Sequence, residues 1–483
     1  MKKNILLILI FLLIALGTIS LLKYVSNNII GNTQGVAQVI KDYIPETLKN
    51  FLKNTLFKNQ YLAKEKLMNE KVVNKIYIDK ISLHEKKLSL IDNQTLISSK
   101  GKKYTLKKFY YPYLDTYTMG MKPPGYLDIY NDFLIIATGQ ADFIYINLED
   151  LNGQEVNFNF LNSNFDEFID KKKYIQRNIV GPRDIEIIED EIFISYVDKD
   201  SCNKLSIARA KINFNFLNFE KFFSWDSCVN EELGFKKENG LLDQASGGRI
   251  RNFNTENLFF TIGNYDEYSS QSALSQDMNS LHGSIIKINK KNKNYTIISK
   301  GHRNQQGLYY DKTNNYLLST EHGPDGGDEL NIINTKIEKI ENFGWPISSY
   351  GYHYPSKHHD WEKINKKDLM YKLAPLHKSH SKFGFKEPLK NWTPSIAVSE
   401  IIKIPNTFDS SFDNDFFIGA MGNVIAQGDQ TIHHVRLNKS FDEIIFSDEI
   451  ILKERIRDIV YSEKDNSVIL MLGSTPSLAI LKN

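Results

Sequence analysis

The stretch GLYYDKTNNYLLSTEHG (307–323) has the form that decides the fold. A short strand-like run is followed by a polar turn, and a second apolar run ends in small or polar residues. The same form occurs in GYLDIYNDFLIIATGQ (125–140), RDIEIIEDEIFISYVD (183–198), GRIRNFNTENLFFTIGN (248–264), EIIKIPNTFDSSFDNDFFIGAMG (400–422) and IRDIVYSEKDNSVILMLG (456–473). Successive copies start 58, 65, 59, 93 and 56 residues apart. Such a repeat predicts an all-β chain folded as a six-bladed β-propeller, with one four-stranded blade per copy.

The longest spacing, 93 residues, predicts that one blade carries an insertion at about 324–395. The strand-like pattern begins near residue 75, so we expect the propeller domain to span 73–483. The chain has 483 residues, of which 41% are apolar and 24% are charged. This composition is enough for a packed core and excludes a disordered chain. A net charge of +2 gives no basic excess, and we therefore expect no nucleic-acid partner.

The N-terminus has the pattern of an export signal. Lys2 and Lys3 precede an uncharged, mostly apolar run from Ile5 to Leu22. Eighteen helical residues span roughly 27 Å, close to the thickness of the hydrocarbon core of a bilayer. Residues 1–23 are therefore predicted to be a transmembrane signal anchor, or a signal peptide cleaved after Ala15-Leu16-Gly17. Either way, the bulk of the protein is expected to face the periplasm or the exterior.

Residues 24–72 are predicted to form a short helical stalk, because apolar residues recur there at helical spacing. Its apolar face could lie on the membrane surface or pack on the following domain. The two cysteines, Cys202 and Cys228, could form one disulfide in an exported protein or remain two buried thiols.

The predicted ring creates a candidate site at one end. In an antiparallel hairpin, the start of the first strand and the end of the second lie together, so six hairpins bring six such ends to one face, the mouth of the propeller. The segments at these ends contain Arg303, Asn304, Glu321, His322, Trp392, Arg455 and Arg457. Arginines gathered at one mouth predict an anionic ligand. The alternative is that each arginine pairs with a neighbouring carboxylate.

Several motifs resemble the glucose/sorbosone dehydrogenase family, which includes the soluble glucose dehydrogenases and the aldose sugar dehydrogenases. They occur in the family's order and cover about residues 180–480. They are GGRI (247–250), SQDMNSLHGSIIKI (275–288), GHRNQQGL (301–308), STEHGPDGGDELNII (319–333), NFGWPISSYG (342–351), WTPSIA (392–397) and ERIRDIV (454–460). The resemblance implies a six-bladed propeller, as the repeat count does independently.

Members of this family bind pyrroloquinoline quinone (PQQ) with calcium and oxidise the C1 hydroxyl of aldoses to lactones. The resemblance implies that Arg303 and Asn304 contact the quinone ring. It also implies that Arg455 and Arg457 bind carboxylates of the cofactor, which suits arginines two residues apart on one face of a strand. Trp392 would stack on the cofactor plane or border it.

The resemblance also implies calcium ligands. The backbone carbonyls of Gly323 and Pro324 would bind the catalytic calcium, since calcium takes oxygen ligands. Asp328 and Glu329 match residues near a second, structural calcium. The alternative for this pair is a polar loop with ordinary turn contacts.

One departure from the family concerns catalysis. The family's catalytic base is a histidine placed as His-x-Gly-Gly-Arg, and Ala245 occupies that position here. A general base typically contributes 10²–10⁴-fold to the rate. His322, or a histidine of the insertion (His353, His358, His359 or His377), could replace it. The sequence therefore predicts a membrane-anchored PQQ-dependent sugar dehydrogenase with an altered base or, alternatively, a non-catalytic propeller that binds carbohydrate, the quinone or a protein.

Overall fold

A computed structural model describes residues 85–111, 124–171, 174, 181–198, 204–225, 245–265, 274–324, 326–336, 339–351, 380–422, 425–475 and 477–483. The chain divides into two units, Met1–Tyr77 and Ile78–Asn483, and all described residues belong to the second. The predicted anchor and stalk, with Cys202 and Cys228, lie outside the described residues. Among the described residues, no helix has the length and hydropathy that crossing a bilayer requires.

The described strands, numbered β1–β27 in chain order, form six antiparallel sheets, and these are the six predicted blades. Blade 1 contains β3 (Gly125–Tyr130), β4 (Phe133–Thr138), β5 (Phe143–Asn147) and β7 (Asn159–Leu161). Blade 2 contains β8 (Pro182–Ile188), β9 (Glu191–Val197), β10 (Leu205–Lys211) and β11 (Glu220–Ser224). Blade 3 contains β12 (Gly247–Asn252), β13 (Asn257–Ile262), β14 (Ser284–Asn289) and β15 (Tyr295–Lys300), with the parallel addition β19 (Glu341–Asn342).

Blade 4 contains β16 (Gln305–Asp311), β17 (Tyr316–Glu321), β18 (Asp328–Asn334) and β20 (Lys390–Trp392). Blade 5 contains β21 (Val398–Ile404), β22 (Asp415–Ala420), β23 (Thr431–Leu437) and β24 (Ile444–Ile451). Blade 6 contains β25 (Ile456–Ser462), β26 (Ser467–Leu472), β27 (Ser477–Lys482), β2 (Lys103–Tyr110), β1 (Lys87–Ile97) and β6 (Glu155–Asn157). The described helices are short 3-10 turns at Leu148–Asn152, Phe165–Glu167, Ser381–Phe383 and Ile425–Gln427.

Each of the six sequence copies forms the first two strands of one blade, as the repeat predicts. The second strand of each pair is almost wholly buried, as in FLIIAT of β4 and SVILML of β26. Both faces of these strands are covered because each blade packs between two neighbours. The predicted insertion, 324–395, contains the third and fourth strands of blade 4 as well as β19.

The ring closes through one sheet that combines strands from the two ends of the propeller. β2 pairs with β27, from Thr105 opposite Lys482 to Tyr110 opposite Ser477. Six apolar clusters then fill the six gaps between neighbouring blades. Blade 6 therefore combines both ends of the propeller, and its formation holds the ring shut.

One arginine on the propeller axis contacts every blade. The Arg249 guanidinium of blade 3 lies 2.8 Å from Asp184, 2.8 Å from Glu400 and 3.0 Å from Asp458, which belong to blades 2, 5 and 6. Its Nε donates to the Gln306 carbonyl of blade 4 at 2.6 Å. Its Cζ lies 5.5 Å from the centre of the Tyr126 ring of blade 1. The three carboxylates are close enough together to surround an ion, and here the ion among them is the guanidinium.

Candidate functional site at the mouth of the propeller

The mouth is shaped by β-bulges in five of the six hairpins. In each of the five, the register between the first and second strands shifts near the start of the first strand. A bulge leaves residues out of the ladder and changes the direction of their side chains. The residues inside the shifts are Arg183 in blade 2, Gly248 and Arg249 in blade 3, Gln306 in blade 4, Ser399 and Glu400 in blade 5, and Arg457 in blade 6.

Arg457 links three blades at this end. Its Nη1 donates to Oε1 of Gln306 at 3.1 Å, and its Nη2 donates to the Tyr126 hydroxyl at 2.9 Å. Its Nε is buried and has no hydrogen-bond partner among the described residues. A cation held by neutral groups, with a donor left over, suits an anionic ligand.

Asn304 joins the same network. Its Oδ1 accepts from Nε2 of Gln306 at 2.9 Å and from the backbone N–H of Gly247 at 3.3 Å. The side-chain amide of Gln306 therefore binds both predicted residues: its nitrogen donates to Asn304, and its oxygen accepts from Arg457. The structure brings these two together through a residue that sequence reasoning did not select.

Arg303 lies against the loop that contains Gly323 and Pro324 (the Gly-Pro loop). Its Nη1 donates to the carbonyls of His322 at 3.0 Å and Gly323 at 2.6 Å. Its Cζ lies 5.4 Å from the centre of the Trp345 ring, in a cation–π contact. Arg303 and Gly323, predicted to serve the quinone and the calcium respectively, are thus in direct contact with each other.

Arg455 is adjacent to Arg457 but lies outside the strand. β25 begins at Ile456, and its register shifts between Ile456 and Asp458. The expected side-by-side placement on one face of a regular strand therefore does not hold, because the bulge interrupts the alternation. Burial lowers the pKa of Arg455 and the positive charge of Arg457 lowers it further, while the negative charge of Asp429 raises it. The two arginines therefore act on each other, with a carboxylate in the same region.

Trp392 lies in the core. Its side chain is 7% exposed and belongs to the apolar cluster between blades 4 and 5. Its ring centre lies 5.7 Å from that of His433. Its position as the last residue of β20, opposite Asp328, explains this burial. Contact of Trp392 with a bound quinone remains a prediction.

Asp328 fastens the Gly-Pro loop. Its Oδ1 accepts from the Gly323 N–H at 3.0 Å and from the Ser395 hydroxyl at 2.9 Å. Its Oδ2 accepts from the N–H groups of Ile396 and Val398 at 3.1 and 3.2 Å. Both carboxylate oxygens therefore bind blade 5 or the loop itself.

Glu329 lines a cavity that also includes Gly323 of this loop. Its Oε1 lies 3.0 Å from Nε2 of His380, and its Oε2 accepts from Nδ2 of Asn331 at 3.1 Å. Burial raises the pKa of Glu329. Burial lowers the pKa of His380, but the hydrogen bond and charge of Glu329, with the charges of Glu387 and Glu321, together raise it by more, so the net shift is upward. A second carboxylate–imidazole pair, Glu321 with His302 at 2.7 Å, lies beside it.

This cavity has a volume of about 200 Å³, open solvent included, and is lined by Arg303, Glu321, His322, Gly323, Gly327, Glu329, Phe343, Trp345, Ser348, Ser349 and His380. Arg455 and Arg457 are not among these lining residues. Of the residues that the sequence predicts at the mouth, Arg303, Glu321 and His322 line this cavity.

The oxygens predicted to bind calcium accept hydrogen bonds from protein donors in this arrangement. The Gly323 carbonyl accepts from a guanidinium, and the Pro324 carbonyl accepts from the Ser395 hydroxyl at 3.4 Å. The carboxylate oxygens of Asp328 and Glu329 also accept from protein donors. Calcium takes six to eight oxygen ligands, and its binding at these residues remains a prediction.

The position of the family's base is apolar and enclosed. Ala245 is fully buried, and its carbonyl accepts from the Tyr265 N–H at 3.1 Å. Nε2 of His322 lies 2.7 Å from the Val398 carbonyl, and burial lowers the pKa of this histidine. The other candidate replacements, His353, His358, His359 and His377, lie outside the described residues.

The family model described as Glucose / Sorbosone dehydrogenase matches residues 188–480. This chain belongs to that family. A protein of Synechocystis sp. (strain ATCC 27184 / PCC 6803 / Kazusa), slr1608, is 29% identical over 304 residues, which are 56% of this chain and 64% of the relative. Aldose sugar dehydrogenase YliI of Escherichia coli (strain K12) is 28% identical over 188 residues, 36% of this chain and 44% of the relative. The chain thus spans less than two thirds of each of these relatives.

Solved structures support the fold. The soluble aldose sugar dehydrogenase of Escherichia coli in its apo form superimposes with a TM-score of 0.54 at 19% identity, covering 81% of this chain and 98% of that chain. The holo form of the PQQ domain of pyranose dehydrogenase from Coprinopsis cinerea gives a TM-score of 0.52 at 11% identity, covering 75% and 93%. At these identities the likeness establishes the propeller fold of this family member.

Sequence reasoning missed Tyr126, Arg183 and Gln306. Arg183 and Gln306 lie in bulges, and a bulge leaves no periodic signal in a single sequence. A signal for Arg183 was nevertheless present, since it is the first residue of its repeat copy and so belongs to the mouth.

Proposed function

We propose that this protein binds PQQ at the propeller mouth and oxidises the C1 hydroxyl of a sugar. The observation that carries the proposal is Arg457, which neighbours Arg455, is held by neutral side chains and has a buried Nε with no hydrogen-bond partner among the described residues. A carboxylate of a tricarboxylate cofactor is a suitable acceptor for that Nε. Membership of the family and the PQQ domain among the structural neighbours support this ligand.

When bound, the quinone accepts the hydride that leaves C1 of the sugar. Arg455 and Arg457 would bind the carboxylates of the cofactor. Hydrogen bonds to Gln306 and Tyr126 orient the Arg457 guanidinium. Asn304 would face the quinone ring, fixed by its bond from Gln306. Ala245 has no atom that can take the hydroxyl proton, so in this proposal water receives it and turnover is slow. No step is assigned to calcium.

A second function is favoured by one observation. Ala245 is buried and carries no proton acceptor, which suits a propeller that binds the quinone or a carbohydrate without oxidising it.

For both candidate functions, we propose that the run Ile5–Leu22 directs the domain across a membrane and anchors it there. Protease digestion of intact and permeabilised cells tests this location, and digestion only after permeabilisation of the inner membrane would contradict it.

The test of the function is a PQQ titration of wild type, Arg455→Ala/Arg457→Ala and Arg209→Ala, followed by dye reduction with a panel of aldoses. Hydrogen bonds to charged groups contribute about 1.5–3 kcal/mol each, so the double variant should bind PQQ at least 100-fold more weakly. Arg209 pairs with Glu220 on the outer part of blade 2, and its removal should change nothing. Equal titration curves would defeat the cofactor assignment. PQQ binding without dye reduction by any aldose would select the second function.

A further inference from the structure

The propeller axis carries more buried carboxyl groups than cations. The first strands of blades 1, 2, 3, 5 and 6 bring two arginines and five carboxyl side chains together there, and this group is called the axial column below. The arginines are Arg249 and Arg251, and the carboxyl residues are Asp128, Asp184, Glu186, Glu400 and Asp458. With all five carboxyl groups ionised, the column would carry three more negative than positive charges.

The two guanidinium groups are shared among four of the carboxyl groups. Arg249 contacts carboxylates of three blades, namely Asp184, Glu400 and Asp458. Arg251 lies 3.2, 3.1 and 2.6 Å from the carboxylates of Asp184, Glu186 and Glu400. Two of the carboxylates therefore bind both arginines, and no further cation is left for the fifth carboxyl group.

That fifth group, Asp128, lies with Glu186 farther from the mouth along the strands. Asp128 accepts from the backbone N–H groups of Ile129 at 2.7 Å and Ile187 at 2.5 Å, and it forms no ion pair with the described residues. The side chains of Glu186 and Arg251 are 16% and 18% exposed. Protons can therefore reach the column from solvent at this end.

Buried carboxyl groups in excess over cations retain protons, because burial disfavours the charged form. Burial raises the pKa of Asp128 to about 6, that of Asp458 to about 7 and that of Glu186 to about 8. Other carboxylates of the column raise each of these pKa values further, and the arginines lower them. The column therefore exchanges protons with solvent near neutral pH.

Tyr126 connects the column to the mouth. Its hydroxyl accepts from Nη2 of Arg457 at 2.9 Å. The centre of its ring lies 5.4 Å from Cζ of Arg457 and 5.5 Å from Cζ of Arg249, so the two guanidinium carbons are at most about 11 Å apart. Asp458 lies 3.0 Å from Arg249. Salt screens buried charges poorly, so a charge bound at Arg457 acts on the Asp458 carboxyl group.

The surroundings of Asp458 come from four other blades. The groups that face it are the Leu127 N–H, Asp184, Arg249 and Glu400. Blade 4 contributes the Leu308 N–H, which donates to Glu400 at 3.1 Å. Arg249 is thus the cation that stabilises the ionised form of Asp458, and the other two charges favour its protonation.

A histidine at the mouth also feels the charge of Arg457. Burial lowers the pKa of His322, Asp328 raises it, and Arg303 and Arg457 lower it. An anion at the mouth therefore acts on this imidazole as well as on the column, and the experiment has to distinguish the two.

We propose that the axial column, through Asp458, takes up a proton when an anionic ligand binds Arg457. The inference rests on the proposed function, in which a carboxylate of PQQ is that ligand. A negative charge nearby favours the protonated form of a carboxyl group, and by reciprocity protonation strengthens binding of the anion. The affinity for PQQ should therefore fall as pH rises and the column loses its protons.

The experiment titrates PQQ into the full-length protein by calorimetry at pH 7.5 in phosphate, HEPES and Tris buffers. These buffers differ in their enthalpy of ionisation, so the dependence of the measured heat on the buffer gives the number of protons taken up per PQQ. Wild type should take up about half a proton to one proton, and its affinity for PQQ should fall about three- to tenfold from pH 7 to pH 8.

Infrared spectroscopy identifies the group that binds the proton. The difference between PQQ-loaded and PQQ-free wild type should show a gain in the C=O band of protonated carboxyl groups, and labelling of the aspartates with ¹³C should shift that band. Asp458→Asn should reduce the proton uptake at least twofold. Asp132→Asn, at an exposed pair with Lys464, should leave it unchanged. The wild-type measurements need no variant, so they test the proposal even where Asp458→Asn does not fold.

The outcomes separate this inference from the function on which it rests. Failure of PQQ to bind would overturn both. Binding without proton uptake, or uptake without a carboxyl band that aspartate labelling shifts, would overturn the inference and leave the proposed function standing. Uptake that is unchanged in folded Asp458→Asn would place the proton on another group, such as His322, and would overturn the inference in the same way.

Discussion

At the scale of single residues, the mouth combines well-anchored cations with an apolar residue where the family has its base. Arg303 and Arg457 are held by oxygens of the protein, whereas Ala245 offers neither a charge nor a lone pair on its side chain. Binding and proton transfer are therefore separable in this chain, because different residues carry them.

Ala245→His tests that separation. If only the base is missing, an imidazole at this position should raise the rate of dye reduction by about 10²–10⁴-fold, the usual contribution of a general base. Ala245→Gln, which is polar but takes no proton, is the matched control and should give no gain. No increase with histidine, at unchanged PQQ affinity, would show that the site has diverged at other positions too.

At the scale of elements, Asp328 ties the Gly-Pro loop to the start of blade 5 through four hydrogen bonds. A carboxylate can satisfy four donors because each oxygen accepts twice. The loop is therefore fastened by protein groups, and the metal that the resemblance implies is not needed for that purpose.

Asp328→Asn should lower the free energy of unfolding by about 2–3 kcal/mol, since an amide places two donors against donors. Chelation of calcium should leave the melting temperature of the unliganded wild type unchanged to within about 1 °C, because protein donors already hold the loop. Asp132→Asn, at an exposed pair with Lys464, should cost under about 1 kcal/mol. A large fall in melting temperature with chelator would show that calcium holds this loop.

At the scale of the whole molecule, Arg249 connects all six blades near the axis. Three buried carboxylates from three blades surround its guanidinium. Removal of one partner from such a cluster leaves charges that neither water nor a counter-ion can reach.

Arg249→Met should therefore lower the free energy of unfolding by about 3–5 kcal/mol. Arg209→Met, at an exposed pair, should change it by less than about 1 kcal/mol. Urea unfolding monitored by fluorescence measures both. Similar midpoints for the two variants would mean that the axial cluster contributes little to closing the ring.

Two buried carboxyl groups, Glu186 beside Arg251 and Asp458 beside Arg249, make stability depend on pH. Burial raises the pKa of Glu186 to about 8 and that of Asp458 to about 7. A carboxyl with a raised pKa in the folded state contributes stability that is fully present below its unfolded pKa and is lost as pH rises to the folded value. We expect these two groups to lower stability from about pH 4.5 to about pH 8, by at most about 1.4 kcal/mol per pH unit for each proton.

Glu186→Gln should reduce the change in the free energy of unfolding with pH, and the exposed control Glu256→Gln should leave it unchanged. Below pH 6.5 the fall should be less steep, because burial lowers the pKa of His282 to about 3 and this histidine contributes stability that grows as pH rises from about 3 to 6.5. A slope that is the same in wild type and Glu186→Gln would exclude Glu186 as its source.

The propeller and part of its site could be predicted from sequence. Each repeat copy is local, so its strand–turn–strand pattern is visible without any long-range information. Arg457 and Asn304 were selected correctly as neighbours at the mouth, since hairpin ends must converge in a ring. Arg183 and Gln306 were missed because a bulge breaks the alternation from which side-chain direction is inferred.

The number of blades, their two inner strands and the family can be read from the amino-acid sequence, because they depend on short-range patterns and on ordered motifs. Three features became visible only in the folded chain: β2 completes blade 6, Trp392 lies in the core, and Arg303 binds the Gly323 carbonyl. These features join residues tens to hundreds of positions apart. Their pairing is selected by packing and by the satisfaction of buried charges, which no local pattern records.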